Sequence, residues 1–138
     1  MKNRVVRSQK WDLNICCGKT DGGGTNADIF KHKGVPNFVH VKSVYKLPFK
    51  NKQFKTAICS HTLEHVRHPD KFYKELNRVA KEVTILIPPL YDLGAVFDIF
   101  EHRWIFLTCK SKHKTLPNHV KLPLANWVQK KFGQLNHA

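Results

Sequence analysis

The stretch SVYKLPFKNKQFKTAICSHTLEHV, residues 43–66, decides how the rest of the chain is read. Leu47-Pro48-Phe49 is not helical, because proline pushes the residue before it into extended geometry and has no amide proton to donate. Lys50-Asn51-Lys52-Gln53 is a polar turn, and Phe54 then opens Thr56-Ala57-Ile58-Cys59, a short apolar run without polar alternation. Such a run reads as a strand buried on both faces. Ser60-His61-Thr62-Leu63-Glu64-His65-Val66 follows, setting small and polar groups at the carboxyl end of the strand, where open α/β sheets place their ligand sites.

Toward the amino terminus, Trp11 to Cys16 is the first strand expected, after a basic stretch. Gly18 opens a loop whose three glycines at 22–24 suit either a crossing over a cofactor or a plain flexible turn. Thr25 to Ile29 and Phe38 to Lys42 are the second and third strands, and the segments joining these strands are too short for helical crossovers. Toward the carboxyl terminus, Pro69 and Asp70 start a helix whose Phe72, Leu76, Val79 and Ala80 recur at helical spacing. Val83 to Ile87 is the next strand, stopped by Pro88-Pro89. Leu90 to Phe100 reads neither way, and Glu101 to Phe106 reads as an edge strand or as a loop closing over the site. Residues 110–121 read as a basic linker, and Leu122 to Phe132 as a short terminal helix.

A chain of 138 residues makes one domain, small for an enzyme fold of this kind. Its net charge of +14 gathers at the two ends: residues 1–10 carry no acid, and nothing after Glu101 is acidic. That field attracts polyanions, and equally it describes a solvated lysine-rich surface. Cys16, Cys17, Cys59 and Cys109 show no metal-ligand spacing and read as buried reduced thiols. Neither a secretory leader nor a run of 18 apolar residues is present in this sequence, so a cytoplasmic protein is expected.

"LPF", a polar turn, Phe54, a buried strand, "LEHV", the helix "KELNRVAKEV" and a strand ending in proline together resemble the second half of a small class I, type 11-like methyltransferase that uses S-adenosylmethionine. The resemblance extends to Leu13-Asn14-Ile15-Cys16-Cys17-Gly18, at the place of the family's glycine-rich loop, and to Asn26-Ala27-Asp28-Ile29, at its acidic strand end. It implies a minimal Rossmann-like α/β fold, with a mostly parallel sheet in the order 3-2-1-4-5 and reduced helices. The corresponding division is a basic tail over 1–10, the α/β domain over 11–109, and a basic linker and helix over 110–138.

By the same resemblance S-adenosylmethionine lies at the carboxyl ends of strands one, two and four, against Ile15, Cys16, Cys17, Gly18, Asp28, Ile29, Ser43, Val44, Ser60 and His61. Asp28 grips the ribose hydroxyls, a bidentate contact that suits a carboxylate. On this view Asp28→Asn weakens cofactor binding and leaves ligand-free stability nearly unchanged. Two departures stand out: Cys16 replaces a glycine, and Ser43 replaces an aspartate that contacts the adenine amine. A sulfonium is already an activated donor, so the protein chiefly aligns a nucleophile and removes a proton. His61 is the candidate base, while Glu64 and His65 read as scaffold residues that hydrogen-bond the loop.

Two further motifs overlap these residues. His61 to His65 matches H-x-x-E-H, an inverted zinc-protease signature, but it follows a buried strand instead of lying within a long helix, and no metal is assigned from it. Pro88-Pro89-Leu90-Tyr91 is similar to the "PPY" of amino-methylating nucleic-acid enzymes, yet it follows the fifth strand where theirs follows the fourth; it reads as a strand terminator with Tyr91 as a pocket wall. The functional readings are therefore a methyltransferase with an unidentified acceptor, a degenerate basic module that binds nucleic acid, and a zinc hydrolase. Because the first two crossovers lack helices, an uncovered apolar sheet face and a homodimer are expected.

Overall fold

The computed structural model describes residues 2–92, 102–122 and 127. Its main sheet holds β1 (Leu13–Ile15), β2 (Thr25–Asp28), β3 (Phe38–His40), β4 (Phe54–Ser60), β5 (Ala80–Leu86) and β7 (Lys112–His113) in the order β3-β2-β1-β4-β5-β7. The first five strands are parallel, and β7 adds antiparallel to β5 through Ile85 opposite His113 and Leu86 opposite Lys112. The order 3-2-1-4-5 is the one expected, with one antiparallel strand at its edge. Trp104–Phe106 forms β6, which pairs antiparallel with β8, His119–Lys121, in a separate small sheet. Residues 110–121 thus carry two short strands instead of a linker. The readings of Leu90 to Phe100 and of a helix over Leu122 to Phe132 fall for the most part outside the described residues.

The helix between β4 and β5, α2, runs Pro69–Val79 and buries Phe72, Leu76 and Val79. It passes into β5 without a loop, since Ala80 already has extended backbone at φ −123° and ψ 151°. Its apolar stripe packs on one sheet face with Leu13, Ile15, Ala57, Cys59, Val83 and Ile85, and Val41, Val44 and Leu47 complete the cluster. Burying such aliphatic side chains contributes roughly 1.5–3 kcal/mol each, so this face supplies most of the cohesion.

The other face is built differently. Asn26, Asn14, Ile58 and Thr84 stand side by side across β2, β1, β4 and β5, and all four are buried. Over Ile58 and Leu86 lies α1, Lys2–Val6, which brings Val6 and Trp11 into a second cluster; Trp11 Nε1 donates to the Val6 carbonyl at 3.0 Å. Val5, Val6 and Trp11 therefore cover this part of the sheet. The face expected to be apolar and open is closed by this helix and by a polar network.

That network replaces the missing crossover helix. Asn14 Nδ2 donates to the Thr20 carbonyl at 2.8 Å and to Asn26 Oδ1 at 3.0 Å, and the Gly22 amide donates to the same Asn26 Oδ1 at 2.9 Å. Asn26 Nδ2 donates in turn to Asp21 Oδ1 and to the Pro36 carbonyl, each at 2.8 Å. Two asparagines thereby satisfy a loop that doubles back across the sheet, which otherwise leaves backbone groups unpaired.

The three glycines sit at the entry to β2, next to the amino end of β1, away from the carboxyl ends where a cofactor would lie. A Cβ on Gly24 would stand 2.4 Å from the Trp11 carbonyl oxygen, and one on Gly22 would stand 2.7 Å from Asn14 Cβ. Close packing, not a cofactor crossing, is what requires glycine here. Of the cysteines, Cys17 and Cys59 are buried, Cys16 is half-buried and Cys109 is exposed, so the buried reading fails for Cys109. Among the described residues, no helix is long and apolar enough to cross a membrane.

Candidate functional site

At the carboxyl end of β1 the chain turns through Cys16, a non-glycine residue at φ +53°. This left-handed conformation is normally left to glycine, because a Cβ crowds the following carbonyl. Cys17 donates its amide to the Ala27 carbonyl at 3.2 Å, and Gly18, at φ +56°, donates to Asp28 Oδ2 at 2.9 Å. No heavy atom lies within 4 Å of a Cβ built on Gly18, so the loop borders open space there. Gly18 and Asp28, proposed from the sequence as two halves of one site, are in direct contact.

Asp28 ends β2 and is buried. Its Oδ1 accepts from the Phe30 amide at 3.1 Å, and its Oδ2 also faces His32 Nε2 at 3.3 Å. Three groups thus converge on a carboxylate that offers about four acceptor positions. This corrects the expectation that Asp28→Asn spares the ligand-free protein. Asparagine presents one oxygen and one NH2, so either the Gly18 or the Phe30 amide loses its acceptor. We expect Asp28→Asn to lower ligand-free stability by about 1–3 kcal/mol, read as a lower urea midpoint at unchanged slope.

The Cys16 thiol lies among Cys59, Asp28 and Thr62. Burial first, then the neighbouring Cys59 and Asp28, push its pKa well above the ordinary thiol value, against a smaller opposing contact from Thr62. It remains a neutral thiol, and a thiol is a poor nucleophile.

Ile15, Cys17 and Val44 are buried, so only their backbones can face a ligand; Ile29 is partly buried against the core. Ser43 follows β3, and its Oγ accepts from the Tyr45 amide at 3.2 Å. At the end of β4, Ser60 is buried and its hydroxyl has no hydrogen-bond partner. His61 comes next at φ +51°, its amide donating to the Leu86 carbonyl at 2.8 Å and its Nδ1 lying 3.5 Å from Glu64 Oε1.

Residues 61–67 form turns and bends, so the H-x-x-E-H residues do not share a helix, and the inverted-protease arrangement is not formed. Glu64 does scaffold a loop, but through its backbone: its carbonyl accepts from the Arg103 amide at 2.6 Å and from the Trp104 amide at 3.2 Å. Its carboxylate is buried and has no hydrogen-bond partner. Lys110, Lys112 and Lys114 are exposed around β7, where Lys114 Nζ meets Glu82 Oε2 at 3.3 Å, and Tyr91 is exposed.

Missed by the sequence reading were Asn14 and Asn26, which hold the Gly18 loop in place. Their signal was present as two polar residues at buried strand positions.

Set against known proteins, residues 20–87, just under half of the chain, match the family model described as a methyltransferase domain. The match begins after Cys16–Gly18. No curated protein matches the chain. Among solved structures, a protein of Pyrococcus horikoshii OT3 is similar at 16% identity and a TM-score of 0.52, over 93% of this chain and 75% of that one. A SAM-dependent methyltransferase of Thermotoga maritima is similar at 19% identity and a TM-score of 0.49, over 62% of this chain and 48% of that one. Another from Aquifex aeolicus shares 21% identity at a TM-score of 0.43, over 56% and 55%. The chain thus spans about half the length of these two enzymes.

Proposed function

We propose, from the match of residues 20–87 to the methyltransferase-domain family model, that this chain binds S-adenosylmethionine at the carboxyl ends of β1, β2 and β4 and transfers a methyl group to an acceptor. The observation that carries the reading is the meeting of the Gly18 and Phe30 amides on Asp28 beside open space at Gly18. The residues fit the cofactor in three respects. Gly18 leaves room for a ligand against the backbone, Cys16 keeps the glycine-type turn of a cofactor loop, and Asp28 retains acceptor capacity for a ribose hydroxyl. Ser43 would face the adenine with an uncharged hydroxyl.

When bound, S-adenosylmethionine supplies a methyl group already activated as a sulfonium. The chain's own work is then to hold the acceptor in line and to accept its proton. We assign the second task to His61, whose Nδ1 lies 3.5 Å from Glu64 Oε1. Cys16, kept protonated, does not compete for the methyl group.

Titration calorimetry of the full chain with S-adenosylmethionine and S-adenosylhomocysteine tests the reading. A dissociation constant between roughly 10 µM and 1 mM is expected, about −7 to −4 kcal/mol, because Cys16 and Ser43 depart from the family. Absence of both heat and thermal shift at millimolar cofactor would overturn the reading and leave the basic module as the better account.

A further inference from the structure

The structure assigns a divalent transition-metal site to Glu64, His65 and His102. Glu64 is 1% exposed, and neither of its carboxylate oxygens has a hydrogen-bond partner. His61 Nδ1 stands 3.5 Å from Oε1 without a hydrogen bond, and buried carboxylates are as a rule paired, hydrogen-bonded or bound to a metal. One ligand atom from each of Glu64, His65 and His102 lies within 4.8 Å of the other two. The two imidazole rings stand edge to face with centroids 4.7 Å apart.

The backbone enforces this meeting. The Arg103 and Trp104 amides donate to the Glu64 carbonyl, and Trp104 Nε1 donates to the Val66 carbonyl at 2.9 Å. His102 is therefore fastened beside the loop that carries Glu64 and His65. A recess lined by Glu64, Pro88, His102, Trp104 and Phe106 opens next to them, so a bound ion could keep a water in an open position.

Two imidazoles and a carboxylate suit zinc, cobalt or nickel, whereas magnesium and calcium prefer all-oxygen sets. Zinc ligands at about 2.0–2.2 Å stand roughly 3.5 Å apart in a tetrahedron, so small side-chain rotations would close the observed spacing. His61 touches the same carboxylate but lies outside the three-residue set.

The site joins the loop after β4 to the segment that leads into β6 and shares Glu64 with the proposed base His61, so the experiment uses the metal alone and reads binding, not methyl transfer. Zinc titrated into the metal-stripped full chain is expected to bind once per chain, at micromolar or lower concentration, and to raise the thermal midpoint by several degrees; magnesium should produce no shift. Cobalt should give the visible absorption of nitrogen and oxygen coordination. His65→Ala and His102→Ala should each weaken zinc binding by at least about tenfold. Glu64→Gln should abolish the zinc-dependent shift while leaving the metal-free midpoint unchanged or higher, because it neutralises a buried carboxylate. That variant decides the matter if an alanine variant fails to fold. Absence of a zinc-dependent shift, or a shift that survives in Glu64→Gln, would overturn the assignment and leave binding, if any, to other histidines. Either result leaves the methyltransferase reading where the cofactor titration puts it.

Discussion

Replacing Cys16 by glycine and Ser43 by aspartate together raises the affinity for S-adenosylmethionine by roughly 100-fold. Each substitution is expected to contribute about tenfold, or about 1.4 kcal/mol. At Cys16 the gain comes from removing a side chain that the bound cofactor would have to displace; the strain of the turn at φ +53° is present with and without ligand and does not enter the affinity. The thiol lies at the end of β1, where the cofactor's methionine part would pass. Ser43→Asp supplies a charged acceptor, and hydrogen bonds to charged groups are worth about 1.5–3 kcal/mol before desolvation is subtracted. Ligand-free stability should move little at Cys16, because the relief of strain is offset by the greater freedom of glycine in the unfolded chain, about 0.5–1 kcal/mol. Calorimetry on both single variants and on the double variant checks this, and unchanged or weaker binding in Cys16→Gly would sink the idea that the thiol obstructs the site.

Arg78→Ala is the second large effect, expected on stability. The guanidinium donates to the Leu47 carbonyl at 3.0 Å, the Phe49 carbonyl at 2.8 Å, Asn51 Oδ1 at 2.9 Å and both oxygens of Glu75 at 2.7 and 2.8 Å. Glu75 Oε1 in turn accepts the Leu47 amide at 2.7 Å. One side chain on α2 thereby locks the Leu47-Pro48-Phe49 crossing into place. Arg78 is 33% exposed, so solvent screening reduces each term, and a total loss of about 2–4 kcal/mol is expected. For a chain of this length that lowers the melting temperature by roughly 8–15 °C. Lysine should not rescue it, because a point charge cannot reproduce the planar fork.

The same cluster shapes the response to acid. Hydrogen bonds from Arg78, and less strongly the Leu47 amide, hold the Glu75 carboxyl below its ordinary range, against the opposing effect of burial. A carboxyl whose folded pKa is depressed contributes stability above its unfolded value, and loses it as pH falls through the folded one. Stability of the parent should therefore decline from the ordinary carboxylate range downward, and the Glu75 share of that decline should shrink in Arg78→Ala, which leaves the Leu47 amide as the remaining donor. Chemical denaturation at a series of acidic pH values measures the difference.

Much of the fold was legible because proline and apolar runs left few choices. Pro48 placed the crossing, Phe54 to Cys59 could only be a buried strand, and Pro69 with Phe72, Leu76 and Val79 marked α2 at both ends. The pairing of Gly18 with Asp28 was legible through the resemblance, as was the oddity of Cys16, although not its left-handed backbone. What escaped notice lacked periodicity. Five residues of α1 are too few to show a helical stripe, and Val5-Val6 alone does not announce a core contact. The lysine-rich segment 110–121 hid β7 and β8, because its pairing is decided by neighbouring strands and not by its own composition. His102 lies far along the chain from His65 and is brought to it by bonds such as those that tie Arg103 and Trp104 to Glu64.

The main sheet is also guarded against stacking with other molecules. Its outer strands are β3, three residues long, and β7, two residues long, so each border exposes only a few unpaired amides and carbonyls. Long flat borders template fibrils and swapped strands, whereas short ones carrying lysine do not. Lys112 stands on the β7 border, and His40 is exposed at the end of β3. Among the described residues, the borders of the main sheet therefore leave little for amyloid-like growth to extend.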